Sequence, residues 1–118
     1  MRIYIDDLRD PTKHLSVEKT KNILIFRSAR EALKFLRENS VKVEYIHLDH
    51  YLNDFGGITG EDILNRIALQ TLGGDNYPNL KAIYLQTSEE KIADRLFKEH
   101  YSHFKENDIE LIKDCQKY

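Results

Sequence analysis

Short apolar runs alternate with amphipathic stretches along most of this chain. Ile3-Tyr4-Ile5, Ile23 to Phe26, Tyr45 to Leu48 and Ala82 to Leu85 are β-prone and apolar, without a clean period of two. That pattern predicts strands covered on both faces by helices, as in a parallel sheet. Between the runs the period lengthens to that of a helix. Ser28-Ala-Arg-Glu31 is a capping box, followed by Ala29, Ala32, Leu33 and Leu36 at i, i+3, i+4 and i+7, which predicts a helix. A second helix is expected from near Thr59, with Asp62 at the capping-box position, Ile63, Leu64, Ile67 and Ala68 on one face, and a stop at Gly73-Gly74. A third is expected from Thr87 or Ser88, burying Ile92, Ala93, Leu96, Phe97 and Tyr101 and ending near Phe104. Residues 109 to 113, Ile-Glu-Leu-Ile-Lys, are expected to supply a fifth strand.

Two connections depart from this rhythm. Residues 7 to 21 leave room for a loop or a stub of helix, with Pro11 at the first helical position behind Asp10. After residue 113 a closing helix has almost no room. The order β, stub, β, α, β, α, β, α, β describes an open α/β sheet with right-handed crossovers. For a strand order of 2-1-3-4-5, ligands bind beyond the carboxyl ends of the first and third strands.

The length of 118 residues, 41% hydrophobic and 32% charged, suits one domain over residues 1–118. Lys and Arg total 18 against 20 Asp and Glu, a net charge of -2, which gives no general attraction to double-stranded DNA or to a membrane. Any phosphate ligand must then be held by local chemistry. Cys115 is the only cysteine, so no intrachain disulfide forms and a cytoplasmic location is expected. Carboxylates appear by residue 6, too early for a signal-peptide core, and no apolar run approaches the ~18 residues of a membrane span.

The third strand ends at Asp49 and the first at Asp6-Asp7, so the expected topology gathers three carboxylates. Two unit charges about 4 Å apart repel by about 4 kcal/mol at an effective dielectric of about 20. Three ionised carboxylates therefore need protons or a cation, and an all-oxygen set suits Mg²⁺, with Mn²⁺ or Ca²⁺ as substitutes. The plainer alternative makes them polar strand ends paired with surface cations. Thr87 and Ser88 offer hydroxyls and a helix N-terminus to phosphate oxygens, or act only as an N-cap. His50, with an ordinary pKa of about 6.5, can move protons near neutrality or simply bind its loop.

Other features have simpler accounts. His47, inside a buried strand, reads as a satisfied core histidine. His100 and His103, at i and i+3, are either half of a zinc site or cations favoured by a helix C-terminus. The seven tyrosines are spread through the elements and make no basic-aromatic nucleic-acid surface. Gly56-Gly57 and Gly60 lack a P-loop lysine and read as a site loop entering a helix.

Taken together, the Asp-Asp pair, Asp49, the Gly-containing loop and the Thr/Ser at the end of the fourth strand resemble the receiver domain of response regulators. The resemblance covers nearly the whole chain. It implies a flavodoxin-like three-layer sandwich around a five-stranded parallel sheet, with the first helix reduced and the last missing. A closer resemblance is to the cyclic-phosphate processing receiver domain family, marked by a start like LDD-x-R-x-P, a central ISLDHDLG, a TGYD segment and a fourth strand ending in His-Ser. Here the matching segments are Ile5-Asp6-Asp7-Leu8-Arg9-Asp10-Pro11, Ile46-His47-Leu48-Asp49-His50-Tyr51-Leu52 and Thr59-Gly60-Glu61-Asp62. The resemblance implies that Asp6, Asp7 and Asp49 bind metal, and that Arg9, His50 and Thr87 face a phosphate.

Gln86-Thr87 stands where the family has His-Ser, and Ser88-Glu89-Glu90 where Asn-Pro often follows. Lys113 is the candidate for the fifth-strand lysine of ordinary receivers. The expected function is a Mg²⁺ site that binds or processes a phosphate-containing small molecule or RNA end. As an enzyme it would be a phosphoesterase acting on cyclic phosphates, with Asp49 and His50 in the chemistry. Two alternatives stand beside it: a receiver phosphorylated at Asp49 that signals to a protein partner, and an inactive pseudo-receiver that serves as an interaction module.

Overall fold

The computed structural model describes residues 1–7, 11–13, 15–50, 52, 57–72 and 77–114. Strands β1 (Arg2–Ile5), β2 (Ile23–Phe26), β3 (Tyr45–Leu48), β4 (Ala82–Leu85) and β5 (Glu110–Lys113) form one sheet in the order β2-β1-β3-β4-β5. Every pairing is parallel. The strands fall where the apolar runs placed them, and the order is the expected 2-1-3-4-5. Among the described residues no helix is long and apolar enough to cross a membrane.

Helices α2 (Ala29–Asn39), α3 (Gly60–Leu72) and α4 (Glu90–Glu106) supply the major crossovers. The register aligns Ile3, Ile46, Ile83 and Leu111, then Ile5, Leu48 and Leu85. These side chains meet Ala32 and Leu36 of α2, Ile63, Leu64 and Ile67 of α3, and Leu96 and Phe104 of α4 in one buried cluster. Burying each large aliphatic side chain contributes about 1.5–3 kcal/mol, which fixes three helices to one face.

Both predicted helix starts are capped. Ser28 Oγ accepts from the Glu31 N–H, and Thr59 and Asp62 form the full reciprocal box, the Thr59 N–H donating to Asp62 Oδ2 at 2.8 Å and the Asp62 N–H to Thr59 Oγ1 at 3.4 Å. The expected stop of α3 at Gly73-Gly74 lies outside the described residues. The start of α4 corrects the reading at Thr87 or Ser88, because the helix begins at Glu90. Thr87 Oγ1 accepts from the Glu89 N–H, a local turn that holds residues 87–89 out of the helix. Tyr101 is another correction. It is exposed, stacked at 4.8 Å on Phe97 rather than buried.

The opposite face of the sheet is thinly covered. As expected for the short link, residues after β1 give a 3-10 turn at Pro11–Lys13 and a single helical turn, α1 (Val17–Thr20), capped by Ser16. Asn22 then turns the chain into β2 at φ 59°, a conformation asparagine tolerates better than most residues. Cover on both faces is therefore incomplete at the edge strand, where Leu24 and Ile25 are exposed. Arg2 spreads its guanidinium over Tyr45, 4.2 Å from the ring centroid, and donates to His47 Nε2 at 2.7 Å. His47 also stacks on Tyr84 at 4.4 Å and is fully buried, the core histidine expected. The expectation of no closing helix falls on residues 115–118, outside those described.

Candidate metal centre

The parallel ladder continues one residue past each strand. The Asp6 N–H donates to Phe26 O, Asp49 N–H to Ile5 O, and Gln86 N–H to Leu48 O, all at 2.9–3.1 Å. Asp6, Asp49 and Gln86 therefore stand in a row at the carboxyl ends of β1, β3 and β4. With Asp7, the two aspartates form a group whose ligand oxygens lie within 4.8 Å of one another. Asp6 and Asp49 are buried and Asp7 is half-buried. Among the described residues it is the one cluster of three or more metal-capable side chains, so His100 and His103 are not part of another. His103 instead hydrogen-bonds Thr71 at 2.7 Å, and His100 packs on Phe104.

A carboxylate-only donor set of this spacing fits a hard divalent cation, since oxygen ligands close on such ions at about 2.0–2.6 Å. Burial sharpens the need for one, because like charges out of water repel more strongly than at the surface. Two protein groups already support Asp6. Gln86 Nε2 donates to Asp6 Oδ2 at 3.1 Å, and the Arg27 guanidinium donates to the Asp6 carbonyl at 3.0 Å. Sequence reasoning noted Gln86 only as a departure from a motif and missed Arg27. The available signal was positional, because Gln86 follows its strand's last apolar residue just as Asp6 and Asp49 follow theirs. Gln86→Ala is expected to weaken divalent-cation binding about tenfold, the usual cost of losing a carboxylate's supporting bond, measured by calorimetric titration of the variant.

Asp49 is fixed from behind by α3. The His50 N–H donates to Asp49 Oδ1 at 2.9 Å, and the Gly60 N–H donates to His50 O at 2.7 Å. This approach requires glycine, since a Cβ on Gly60 would lie 2.0 Å from the Asp49 carbonyl oxygen and 2.9 Å from His50 Cα. The residues 59–62 segment thus has a structural role at the site as well as a helix-starting one.

His50 is 8% exposed. Burial pushes its pKa below the ordinary imidazole value; Glu61 opposes the shift and Arg95, paired with Glu61, adds to it. Burial lowers His100 in the same way. Both imidazoles are held neutral more firmly in the folded chain than in the unfolded one. Their contribution to stability is complete above about pH 6.5 and is lost as pH falls through the folded values. NMR titration of the imidazole protons should give midpoints below about 6.5 for both residues, and either one titrating above that value contradicts the burial described.

Of the remaining expected site residues, Thr87 is buried at the end of β4 and Ser88 is exposed beside it. Arg9 lies outside the described residues. The Lys113 ammonium pairs with Asp94 at 2.9 Å and lies over Phe97.

Residues 1–102 match the model of the cyclic-phosphate processing receiver domain. No curated protein and no solved structure matches the chain. The family match spans β1 through nearly all of α4, including the whole acidic group and the Gly60 contact behind it. Sheet order, acidic row and family match agree, and the chain belongs to the cyclic-phosphate processing receiver domain family.

Proposed function

We propose that this protein binds a phosphate-bearing ligand, a cyclic phosphate, beyond the carboxyl ends of β1, β3 and β4, together with Mg²⁺ held by Asp6, Asp7 and Asp49. The observation that carries the reading is the convergence of those carboxylates within 4.8 Å at the point where strand order reverses. When bound, such a cation neutralises charge on a phosphoryl oxygen and makes a bound water more acidic.

The chain's own groups supply the rest. Gln86 orients Asp6, and the His50 backbone orients Asp49. The His50 ring, neutral near pH 7 because of its burial, is suited to accept a proton at a ring nitrogen. Thr87 Oγ1 accepts from Glu89 and keeps its own proton to donate to a phosphate oxygen. Arg9 and Ser88 complete the phosphate contacts in this reading. The ligand is a small molecule or an RNA end.

Thermal denaturation with MgCl2 and with a chelator tests the first step. The wild type should gain about 2.7 kcal/mol when the cation reaches about a hundredfold excess over its Kd, and Asp6→Asn should gain almost nothing. A flat wild-type response sinks the proposal. Turnover is tested on 2′,3′-cyclic nucleotides and cyclic dinucleotides, with His50→Ala expected to lose activity yet keep its Mg²⁺ response. An intact Mg²⁺ response with no turnover across that panel would leave binding without catalysis. Phosphorylation of Asp49 is the weaker reading, because Lys113 is engaged by Asp94. Incubation with acetyl phosphate is accordingly expected to leave the mass unchanged.

A further inference from the structure

Helix α2 carries Arg30, Lys34 and Arg37 at i, i+4 and i+7 along one flank. Glu31 and Glu38 neighbour Lys34 at i−3 and i+4 but stay outside the groove. The basic flank borders a groove of about 300 Å³ between α2 and α3, and Arg66 of α3 faces it from the other side. Among the described residues no acidic side chain lines this groove. Among the described residues Lys34, Arg37 and Arg66 make no ion pair. A concentration of four cations is notable in a chain whose net charge is -2.

The floor is aliphatic. Leu33, Ile58 and Ile67 line the groove, and it continues past Arg66 to Leu69, which is 68% exposed at its lip. Asp62, the acid of that outer part, is engaged by Thr59. None of the acidic-row residues lines either part.

We propose that this groove docks an acidic, amphipathic helical segment of a protein partner. Guanidinium groups pair with carboxylates in two-point bonds, and arginine is enriched among the residues that dominate protein binding energy. Lys34 and Arg37 stand about one turn apart along the helix, with Arg66 across the groove. A partner helix lying in the groove can match those cations with carboxylates and set its leucines on the floor. Single-stranded nucleic acid fits less well, because it needs exposed aromatic stacking platforms. Among the described residues the one aromatic side chain of the groove, Tyr77, is 6% exposed.

The test is fluorescence anisotropy of the full chain with a labelled designed peptide of about 15 residues, carrying leucines on one helical face and glutamates beside them. Its controls are the same composition with the leucines dispersed and a uridine oligonucleotide of about ten nucleotides. The facial peptide should bind about tenfold more tightly than the dispersed one, and Lys34→Glu with Arg37→Glu should cost about tenfold more. Leu69→Ser should weaken the facial peptide alone. All substituted positions are exposed, so folding is checked by an unchanged melting curve. Equal binding of the two peptides, binding indifferent to the charge reversals, or tighter binding of the oligonucleotide each overturns the proposal. Metal titration of the same variants is independent, so failure at the groove leaves the acidic centre untouched.

Discussion

Gly60→Ala should destabilise this protein by about 3 kcal/mol or more, the upper part of the range for forcing atoms into a packed interior, and lower its melting temperature by roughly 10 °C. The added methyl would meet a backbone carbonyl at 2.0 Å, and a carbonyl within a hydrogen-bonded strand end cannot swing aside as a flexible side chain can. Relief requires α3 to move away, which breaks the 2.7 Å bond from Gly60 to His50 and loosens Ile63, Leu64 and Ile67 from the core. Asp49 lies on the same carbonyl, so the variant's Mg²⁺ response should also weaken. Gly57→Ala is the informative control. Its φ of 70° is unfavourable for alanine, but its Cβ would point into open space. That substitution should cost about 1 kcal/mol, from backbone conformation alone. Equal melting temperatures for the two variants would refute the close-approach explanation.

Asp7→Asn should change sign with the cation. In chelator, removing one of three carboxylates within 4.8 Å of each other relieves repulsion, and the variant should be more stable than wild type by about 1 kcal/mol after solvent screening of the half-buried side chain. With saturating Mg²⁺ the order should reverse, because the variant has lost a charged ligand and binds the cation at least about tenfold more weakly. Paired melting curves in chelator and in MgCl2 measure both effects. A variant less stable in both conditions would mean that Asp7 is held by a protein cation and that the group is not a metal centre. The plainer account of strand-end aspartates predicts that outcome, so the experiment separates the two readings.

Much of this site was legible before any fold was known. Asp6, Asp7 and Asp49 each follow an apolar run, and the 2-1-3-4-5 order places the ends of β1 and β3 side by side. Thr59 and Asp62 mark a helix start through a three-residue spacing, and His47 is legible as core because its neighbours are strand residues. The start of α4 is not legible for a local reason, since the Thr87 hydroxyl binds the Glu89 N–H and so delays the helix. Tyr101 fitted the helical period but lies at the edge of the buried stripe, where periodicity cannot separate contact with the core from contact with another surface side chain.

The five strands, the capped helices, the reduced first crossover and the identity of the acidic group are set by local sequence. These rest on periodicities and hydrogen bonds that span a few residues, so neighbouring letters suffice to read them. The bond from Gln86 to Asp6 across 80 positions, the approach of Gly60 to Asp49, the pairing of Lys113 with Asp94 and the groove shared by cations of two helices exist only in the folded chain. Those pairings depend on register and on the angle at which helices cross the sheet. The packed core fixes both, and no short segment encodes either.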